Sequence, residues 1–419
     1  MAKIDLQLQQ LMQNDPIVIT GMGCISSAGS SVEELWKSVY KLETNVEFFR
    51  IENKGVHFEI PICRIKEIPI VSEIERKINK FDRSIRLGIY AAYQTISNTG
   101  ISDDQEYEKI GVIVGTSRGA INQLAEFLSY NEYKRILPSY SSNTSIGALS
   151  GAIAKSLGLR GPSMTISANC ASSAIAIAIG AQQILLNMSD SVISGGAEAP
   201  LNPHALTSML NAKILEMPNG TPARICKPFD TNRNGTVLGE GAGFLHLERM
   251  SRAIQRKAKI HAVLKGFAYS IAPCSPMGIE PNGESLAKVI EKALKVSGVT
   301  PTDISFISLH GTGTKINDVA ETRAVNHIFG KSNPNVPVYS IKPVTGHCLG
   351  ASTALEAIIC IKALNESIVP ATVNCEEIDP ECNVNVIINK PIKINKSENA
   401  LLITSGFWGY KAALVFGKI

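Results

Sequence analysis

The chain has 419 residues, of which 44% are hydrophobic and 19% are charged. This ordinary globular composition excludes a disordered or fibrous protein. Its net charge of +4 is too small to indicate a nucleic-acid partner, although it suits an acidic one. No apolar run approaches the ~20 residues of a membrane span. Because the N-terminus also lacks a signal peptide's apolar core, we expect a cytoplasmic protein with no membrane partner.

The first half of the chain alternates predicted strands with helices. Residues 16–20 predict the first strand, and Ser26 stands where a dinucleotide-binding turn would need its third glycine. Further strands are predicted at residues 110–114, 163–167 and 191–194. Such alternation predicts an α/β protein with largely parallel sheets.

Cys170 stands where the strand at 163–167 turns into a predicted buried helix at 172–186. The first turn of a helix offers unpaired N–H groups and a positive dipole end, which stabilise an anion. A thiol there can have its pKa lowered from about 8.5 to as little as ~3.5. The other eight cysteines are scattered singly along the chain, and we expect them to be core residues. Their spacing predicts neither a disulfide framework nor a metal site.

The order of elements starts again near residue 260. Strands are predicted at 261–268, 304–309 and 338–341, and helices at 285–297, 319–328 and 351–364. This repetition predicts an internal duplication, with one half at residues 16–260 and the other at 261–419.

Two of the seven histidines end predicted strands beside glycines. His310 precedes Gly311 and Gly313, which we expect to let a substrate approach the backbone closely. His347 follows Gly346 just before the last predicted helix, a few residues after Lys342. A lone histidine in a loop is more often structural. Ligand sites in α/β folds gather at the carboxyl ends of parallel strands, so we expect both histidines beside Cys170.

Three motifs occur in a fixed order: C-A-S-S at Cys170, H-G-T-G-T at His310, and K-x-x-x-G-H-x-x-G-A across Lys342 and His347. Together they resemble the β-ketoacyl synthases of the thiolase superfamily, over nearly the whole chain from Ile17. The resemblance implies a five-layered αβαβα fold of two duplicated halves, normally dimeric. It also implies decarboxylative Claisen condensation without a bound cofactor or metal, on substrates carried by the phosphopantetheine of an acidic acyl carrier protein.

The resemblance implies a role for each residue. Cys170 takes the acyl chain, the backbone N–H groups of Cys170 and Phe407 hold the oxyanion, and neutral His310 and His347 hold the enolate. Phe407 is the expected gate. A buried ammonium needs a carboxylate, so Lys342 is expected to pair with Glu321, either as a structural salt bridge or to fix the histidine rings. A further candidate of the same type is Glu356.

Finer features resemble the catalytic ketosynthase (alpha) subunit of type II polyketide synthases. They lie in segments 315–322, 378–382 and 405–407, and they imply a heterodimer with a chain-length-factor subunit. The chain departs from the family's G-F-G-G pattern at Trp408, and it carries Lys411 where small or amide residues are common.

Three alternatives to the polyketide interpretation stay open or are disfavoured. A fatty-acid β-ketoacyl synthase acting as a homodimer stays open. A non-catalytic chain-length factor is disfavoured by Cys170 together with both histidines. A thiolase would need a second cysteine near the C-terminus, and residues 404–411 contain none.

Basic side chains near the mouth of the pocket are expected to dock the acidic carrier protein through complementary charge. The candidates are Arg64, Lys66, Lys213 and Arg224.

Overall fold

The computed structural model describes residues 2–53, 56–70, 78, 80–101, 104–129, 137–217 and 220–419. Strands in the first half of the chain are β1 (Ile17–Ser26), β2 (Glu47–Asn53), β3 (Val56–Cys63), β4 (Ile110–Gly115), β5 (Ser163–Ile166), β6 (Ser191–Glu198), β7 (Leu238–Gly239) and β8 (Gly241–Arg249). Strands in the second half are β9 (Ala262–Ile271), β10 (Ile304–Ser308), β11 (Pro337–Tyr339), β12 (Ile368–Val369), β13 (Asn385–Val386), β14 (Ile392–Lys393), β15 (Asn399–Ser405) and β16 (Tyr410–Gly417).

Helices connect these strands. In chain order they are Ala2–Asn14, Val32–Lys41, Arg83–Ser97, Asp104–Tyr107, Ile121–Ser129, Ser139–Asn143, Ala148–Leu157, Ser172–Leu185, Pro203–Asn211, Met250–Gln255, Glu284–Ser297, Lys315–Phe329, Lys342–Thr345 and Ser352–Glu366. Within the described ranges, no helix is long and apolar enough to cross a membrane.

One large sheet contains the same strand order twice. From the centre outward, one side runs β1, β8, β6, β4, β5, and the other runs β9, β16, β15, β10, β11 before β13. Each half contributes five strands to this repeated order, and β13 is an additional edge strand. When the five strands of each half are numbered along the chain, both sides have the order first, fifth, fourth, second, third. Antiparallel pairing of β1 with β9 joins the two sides. The predicted duplicated α/β fold is therefore confirmed.

The predicted parallel pairing holds only in the outer part of each half. Strands β6, β4 and β5 are parallel to one another, as are β15, β10 and β11. By contrast, β8 and β16 run antiparallel to their neighbours. The carboxyl ends of the parallel strands still form one edge in each half, where a ligand site is expected.

The two sides of the sheet form two β layers, and helices cover and separate them, which gives five layers in all. Arg83–Ser97 and Ala148–Leu157 cover one outer face, while Glu284–Ser297 and Lys315–Phe329 cover the other. Ser172–Leu185 and Ser352–Glu366 lie in the middle and contact strands of both halves. Both middle helices are apolar around most of their circumference, as expected for helices enclosed between sheets.

Candidate active site

Cys170 lies in a tight turn between β5 and the first middle helix. Asn169 has a φ of +49°, a left-handed conformation that asparagine adopts more easily than most residues. The Ser172 hydroxyl accepts a hydrogen bond from the Ala168 amide at 2.8 Å and donates one to the Asn169 carbonyl at 2.5 Å. These bonds fix the turn and place the buried Cys170 side chain at the edge of a pocket.

The structure brings Cys170 together with both predicted histidines. His347 Nε2 lies 3.2 Å from Cys170 Sγ, and the two imidazole ring centroids are 5.2 Å apart in an edge-to-face arrangement. One donor atom from each of the three side chains lies within 4.8 Å of the other two. Across the described ranges, these three form the one group of such side chains close enough to hold a metal ion.

His310 is fixed through both its ring and its backbone. Its Nδ1 lies 3.3 Å from Lys342 Nζ and 3.1 Å from Thr404 Oγ1, and Lys342 Nζ also donates to the His310 carbonyl. Glu321 accepts hydrogen bonds from the His310 and Gly311 amides, at 2.8 and 2.6 Å. Glu321 therefore stabilises the loop that carries His310 and does not contact the ring.

The carboxylate partner of Lys342 is Glu356, which corrects the predicted pairing with Glu321. Lys342 Nζ lies 2.5 Å from Glu356 Oε1, and both side chains are buried. Glu356 is one turn into the second middle helix, so it faces the loop that ends in His347. Both Glu321 oxygens are occupied by amide donors. Burial, opposed by Lys342, raises the pKa of Glu356, while burial and the Asp318 carboxyl raise that of Glu321 to about 8.

Gly311 and Gly313 serve the loop itself, which corrects their expected role in substrate approach. Both have positive φ, +40° and +78°. A β-carbon on Gly311 would stand 2.5 Å from that of Ser340, and one on Gly313 would stand 2.6 Å from the Gly235 carbonyl oxygen. The glycines therefore permit close packing of protein against protein.

Burial controls the charge states of the three central side chains. Desolvation and the Lys342 ammonium lower the pKa of His310 and that of His347 well below the usual range, so both rings are neutral near pH 7. Desolvation raises the pKa of the Cys170 thiol to about 12, although Lys342 opposes this. The predicted lowering of the thiol pKa is therefore wrong, because the loss of water around the sulfur outweighs the helix end.

The turn at Phe407 lies against Cys170. A β-carbon on Gly406 would stand 3.2 Å from the Cys170 amide nitrogen, so the two backbone segments are in contact. Asn169 Nδ2 donates to the Phe407 carbonyl at 3.3 Å, and the half-buried Phe407 ring packs on the apolar cluster around Cys170. Trp408 is 54% exposed and has a φ of +61°, a left-handed conformation that favours glycine.

A pocket of about 540 Å³ extends from these residues toward the surface. Its walls include Met209, Leu238 and Leu349 beside Cys170, and two exposed lysines, Lys213 and Lys315, lie on its rim. Among the four predicted docking residues, Lys213 alone lines this pocket. Arg64 and Lys66 line a separate polar depression, and Arg224 is exposed beside Glu376 at 3.8 Å.

Sequence analysis missed three buried side chains that support the site. Thr404 contacts the His310 ring, and Ser352 Oγ lies 2.9 Å from His347 Nδ1. Glu198 accepts hydrogen bonds from the Ser117 amide at 2.6 Å and the Gly350 amide at 3.2 Å. Glu198 therefore links the first half of the chain to the loop after His347. The nearness of Ser352 to His347 in the sequence was the one available signal.

Comparisons with known proteins agree with this geometry. Residues 14–253 match the family model of the N-terminal domain of β-ketoacyl synthases, and residues 261–376 match that of the C-terminal domain. The chain is 30% identical to 3-oxoacyl-(acyl-carrier-protein) synthase 2 of Vibrio cholerae, over 97% of the chain and 100% of the relative. It is also 30% identical to the ketoacyl synthase alpha subunit of the tetracenomycin polyketide synthase of Streptomyces glaucescens, over 96% and 97%.

Solved structures with the same fold include two ketosynthases. The ishigamide ketosynthase/chain length factor superposes with a TM-score of 0.87 at 28% identity, covering 97% of this chain and 99% of that one. A ketosynthase bound to a hexaketide, in complex with its type II acyl-carrier protein, superposes with a TM-score of 0.88 at 25% identity and the same coverage.

Proposed function

The chain belongs to the β-ketoacyl synthase family and is an acyl-transferring condensing enzyme, and we propose that it is the catalytic ketosynthase of a type II polyketide synthase. The cluster of one thiol and two neutral imidazoles at the end of an apolar pocket supports the condensing chemistry, and the similarity to the tetracenomycin alpha subunit and to a ketosynthase/chain length factor structure supports the polyketide assignment. We propose residues 16–260 and 261–419 as its two halves, and the cytoplasm as its compartment because all nine cysteines are free thiols.

The first half-reaction loads the acyl chain onto Cys170. The neutral thiol gives its proton to His347 Nε2, at 3.2 Å, as the sulfur attacks the thioester of an acyl carrier protein. The oxyanion that forms accepts hydrogen bonds from the Cys170 and Phe407 amides, whose segments are in contact. The proton then passes to the departing pantetheine sulfur, so His347 ends neutral and no net proton is consumed.

The second half-reaction forms the carbon–carbon bond. Malonyl carrier protein loses CO2, and the developing enolate oxygen accepts hydrogen bonds from His310 and His347. The enolate carbon attacks the acyl-Cys170 thioester, the C–S bond breaks, and the chain grows by two carbons. The Cys170 thiolate released in this step takes its proton from water. Neutral imidazoles suit this role because each can carry one N–H toward the pocket.

Lys342, Glu321 and Glu356 act through the histidines. Lys342 faces His310 Nδ1 and can only donate to it, so it keeps the His310 proton on Nε2. Glu356 neutralises Lys342, and Glu321 fixes the backbone that carries His310. We therefore propose them as positioning residues. We propose Phe407 as the gate, whose ring moves aside when malonyl carrier protein enters.

The polyketide-like segments form one buried network beneath the pocket. Arg233 Nη1 lies 2.6 Å from Asp379 Oδ2, and Arg233 Nε lies 3.6 Å from Asp318 Oδ2. Asp318 also accepts hydrogen bonds from the Thr312 and Gly313 amides. Residues of segments 315–322 and 378–382 thus support the loop of His310 together, and these are two of the three segments on whose resemblance the polyketide interpretation rests.

A chain-length-factor-like subunit is the partner that we propose. Strand β5 is the last strand on its side of the sheet, and Met164 within it is exposed. Further large apolar side chains are exposed in the segments between β4 and β5: Leu124, Leu128, Leu137 and Ile146. An exposed strand edge and exposed apolar side chains invite association, and solved relatives occur with chain length factors.

Purification with and without a companion tests the partner. Expressed alone, the protein is expected to aggregate or to form an inactive homodimer; with its chain-length factor it should purify as a stoichiometric pair. Mass spectrometry of the carrier protein after incubation with malonyl donor should then detect poly-β-ketone chains. A soluble homodimer that builds full-length chains unaided would instead favour a fatty-acid synthase, as the Vibrio cholerae relative suggests.

A further inference from the structure

Ser352 begins the second middle helix, and its hydroxyl lies on the side of the His347 ring that faces away from Cys170. Ser352 Oγ is 2.9 Å from His347 Nδ1, while Nε2 of the same ring faces Cys170 Sγ at 3.2 Å. Both Ser352 and His347 are at least 95% buried. Within the described part of the chain, this is the one hydrogen bond of the Ser352 hydroxyl.

The proposed function requires His347 Nε2 to be bare in one half-reaction and protonated in the other, and the present inference rests on that function. During acylation, Nε2 must be bare to accept the thiol proton. During decarboxylation, Nε2 must carry a proton to donate to the enolate oxygen. A neutral imidazole holds one proton, so Nδ1 must be protonated in the first state and bare in the second.

We propose that Ser352 is a positioning residue that stabilises both tautomers of His347. A hydroxyl has one donor and two acceptor lone pairs and can rotate. Its oxygen accepts from Nδ1–H when Nε2 takes the thiol proton, and its hydrogen points to bare Nδ1 when Nε2 donates. Between the half-reactions Nε2, which faces the pocket, gains a proton and Nδ1 gives one up to solvent, so the ring stays neutral and no net proton is consumed.

The groups around His310 Nδ1 differ from those around His347 Nδ1. Its Nδ1 faces the Lys342 ammonium, which has three donors and no acceptor. His310 therefore keeps its proton on Nε2 through both half-reactions. His310 Nδ1 also lies 3.1 Å from the Thr404 hydroxyl, which can donate to it together with Lys342. By contrast, among the described residues the Nδ1 of His347 has a hydroxyl and no ammonium within hydrogen-bonding distance, so either tautomer of His347 finds a partner there.

Nitrogen NMR of histidine-labelled protein without substrate tests the tautomers directly, because bare and protonated ring nitrogens give well-separated signals. We expect the Nδ1–H form of His347 in the wild type, with the thiol donating to Nε2. The Cys170→Ala variant removes that donor and should shift His347 toward the Nε2–H form. Ser352→Ala should change the tautomer populations in both backgrounds, and Ser352→Thr, which keeps the hydroxyl, should restore them.

Kinetics of the separate half-reactions complete the test. Ser352→Ala should slow both acylation and malonyl decarboxylation about tenfold, the effect of losing one hydrogen bond, with KM for the carrier protein unchanged. Ser194→Ala is a matched control, since Ser194 is a buried serine whose hydroxyl donates only to the Ile113 carbonyl. Unchanged tautomers in Ser352→Ala would overturn the inference, whereas loss of the half-reactions in the wild type would overturn the proposed function instead.

Discussion

The two middle helices hold equivalent places in the duplicated halves, but the side chains at their N-termini differ. Each follows the third of the five strands that its half contributes to the repeated order of the large sheet. Ser172–Leu185 comes after β5, and Ser352–Glu366 comes after β11. The first carries one reactive group, Cys170, just before it. The second carries His347 before it and, among the three buried polar residues of its first two turns (Ser352, Thr353 and Glu356), two that serve the histidines: Ser352 contacts His347, and Glu356 pairs with Lys342.

This difference divides the chemistry between the halves. In the proposed mechanism, the first half supplies the sulfur that forms the covalent bond, and the second half supplies both histidines together with the groups that set their protons. A duplicated fold brings the two together because both helices begin at the same edge of the molecule, where Cys170 and His347 are 3.2 Å apart. Each half can therefore be disabled separately, and the half-reactions should respond differently.

Removing the thiol should have the largest effect. Cys170→Ala is expected to abolish acylation and condensation, since no other cysteine thiol is hydrogen-bonded to an imidazole in the described ranges, while malonyl decarboxylation survives in part through the two imidazoles. Peptide mapping after treatment with acyl donor should find label on Cys170 alone in the wild type. Preferential label on Cys226 or Cys348 would contradict the division between the halves.

Removing a histidine should affect the other half-reaction. His347→Ala takes away one of two donors to the enolate oxygen, and the loss of one such donor lowers a rate by about 10²–10³. Malonyl decarboxylation, followed as CO2 release from malonyl carrier protein, should fall by that factor. If this variant and Cys170→Ala both released CO2 at the wild-type rate, the histidines would not act on malonyl groups.

Local patterns in the sequence were enough to find Cys170, His310 and His347. Cys170 and His310 stand just after the ends of β5 and β10, and strand ends meet at one edge of an α/β sheet. His347 was predicted to end a strand as well, but the helix Lys342–Thr345 separates it from β11, so it was located by its motif. Tertiary properties were not accessible in this way. The pairing of Lys342 with Glu356 depends on where the second middle helix lies, and the raised thiol pKa depends on how completely water is excluded from Cys170.

The charged pair of Lys342 and Glu356 should affect the pH dependence of acylation. Burial and then Lys342 lower the pKa of His347, so the ring stays neutral and able to accept the thiol proton as the pH falls. In a Lys342→Met/Glu356→Gln double variant, which leaves no unpaired buried carboxylate, the pKa of His347 should rise. The acidic limb of the acylation rate should then move to higher pH.

Lys411→Met is the matched control for this pH shift. Lys411 is buried and contributes to lowering the pKa of His310, after burial, Lys342 and His347, but it is not among the groups that lower the pKa of His347. The acidic limb of acylation should therefore stay in place in Lys411→Met. An equal movement in both variants would show that the limb does not report His347.

The smallest expected effect lies on the rim of the pocket, where the two halves contribute one exposed lysine each. Lys213 belongs to the first half and Lys315 to the second, and both line the pocket that leads to Cys170.

Exposed charges contribute about 0.2–1 kcal/mol to an interaction, so charge reversal at either lysine should raise KM for an acidic carrier protein only a few-fold. The increase should shrink at high salt because of screening. Lys396→Glu, which changes an exposed lysine outside this pocket that is not among the docking candidates, should leave KM unchanged. An effect confined to Lys213→Glu would place the carrier protein on the first half alone, whereas equal effects of Lys213→Glu and Lys315→Glu would mean that it docks across both halves, directly above the junction where thiol and histidines meet.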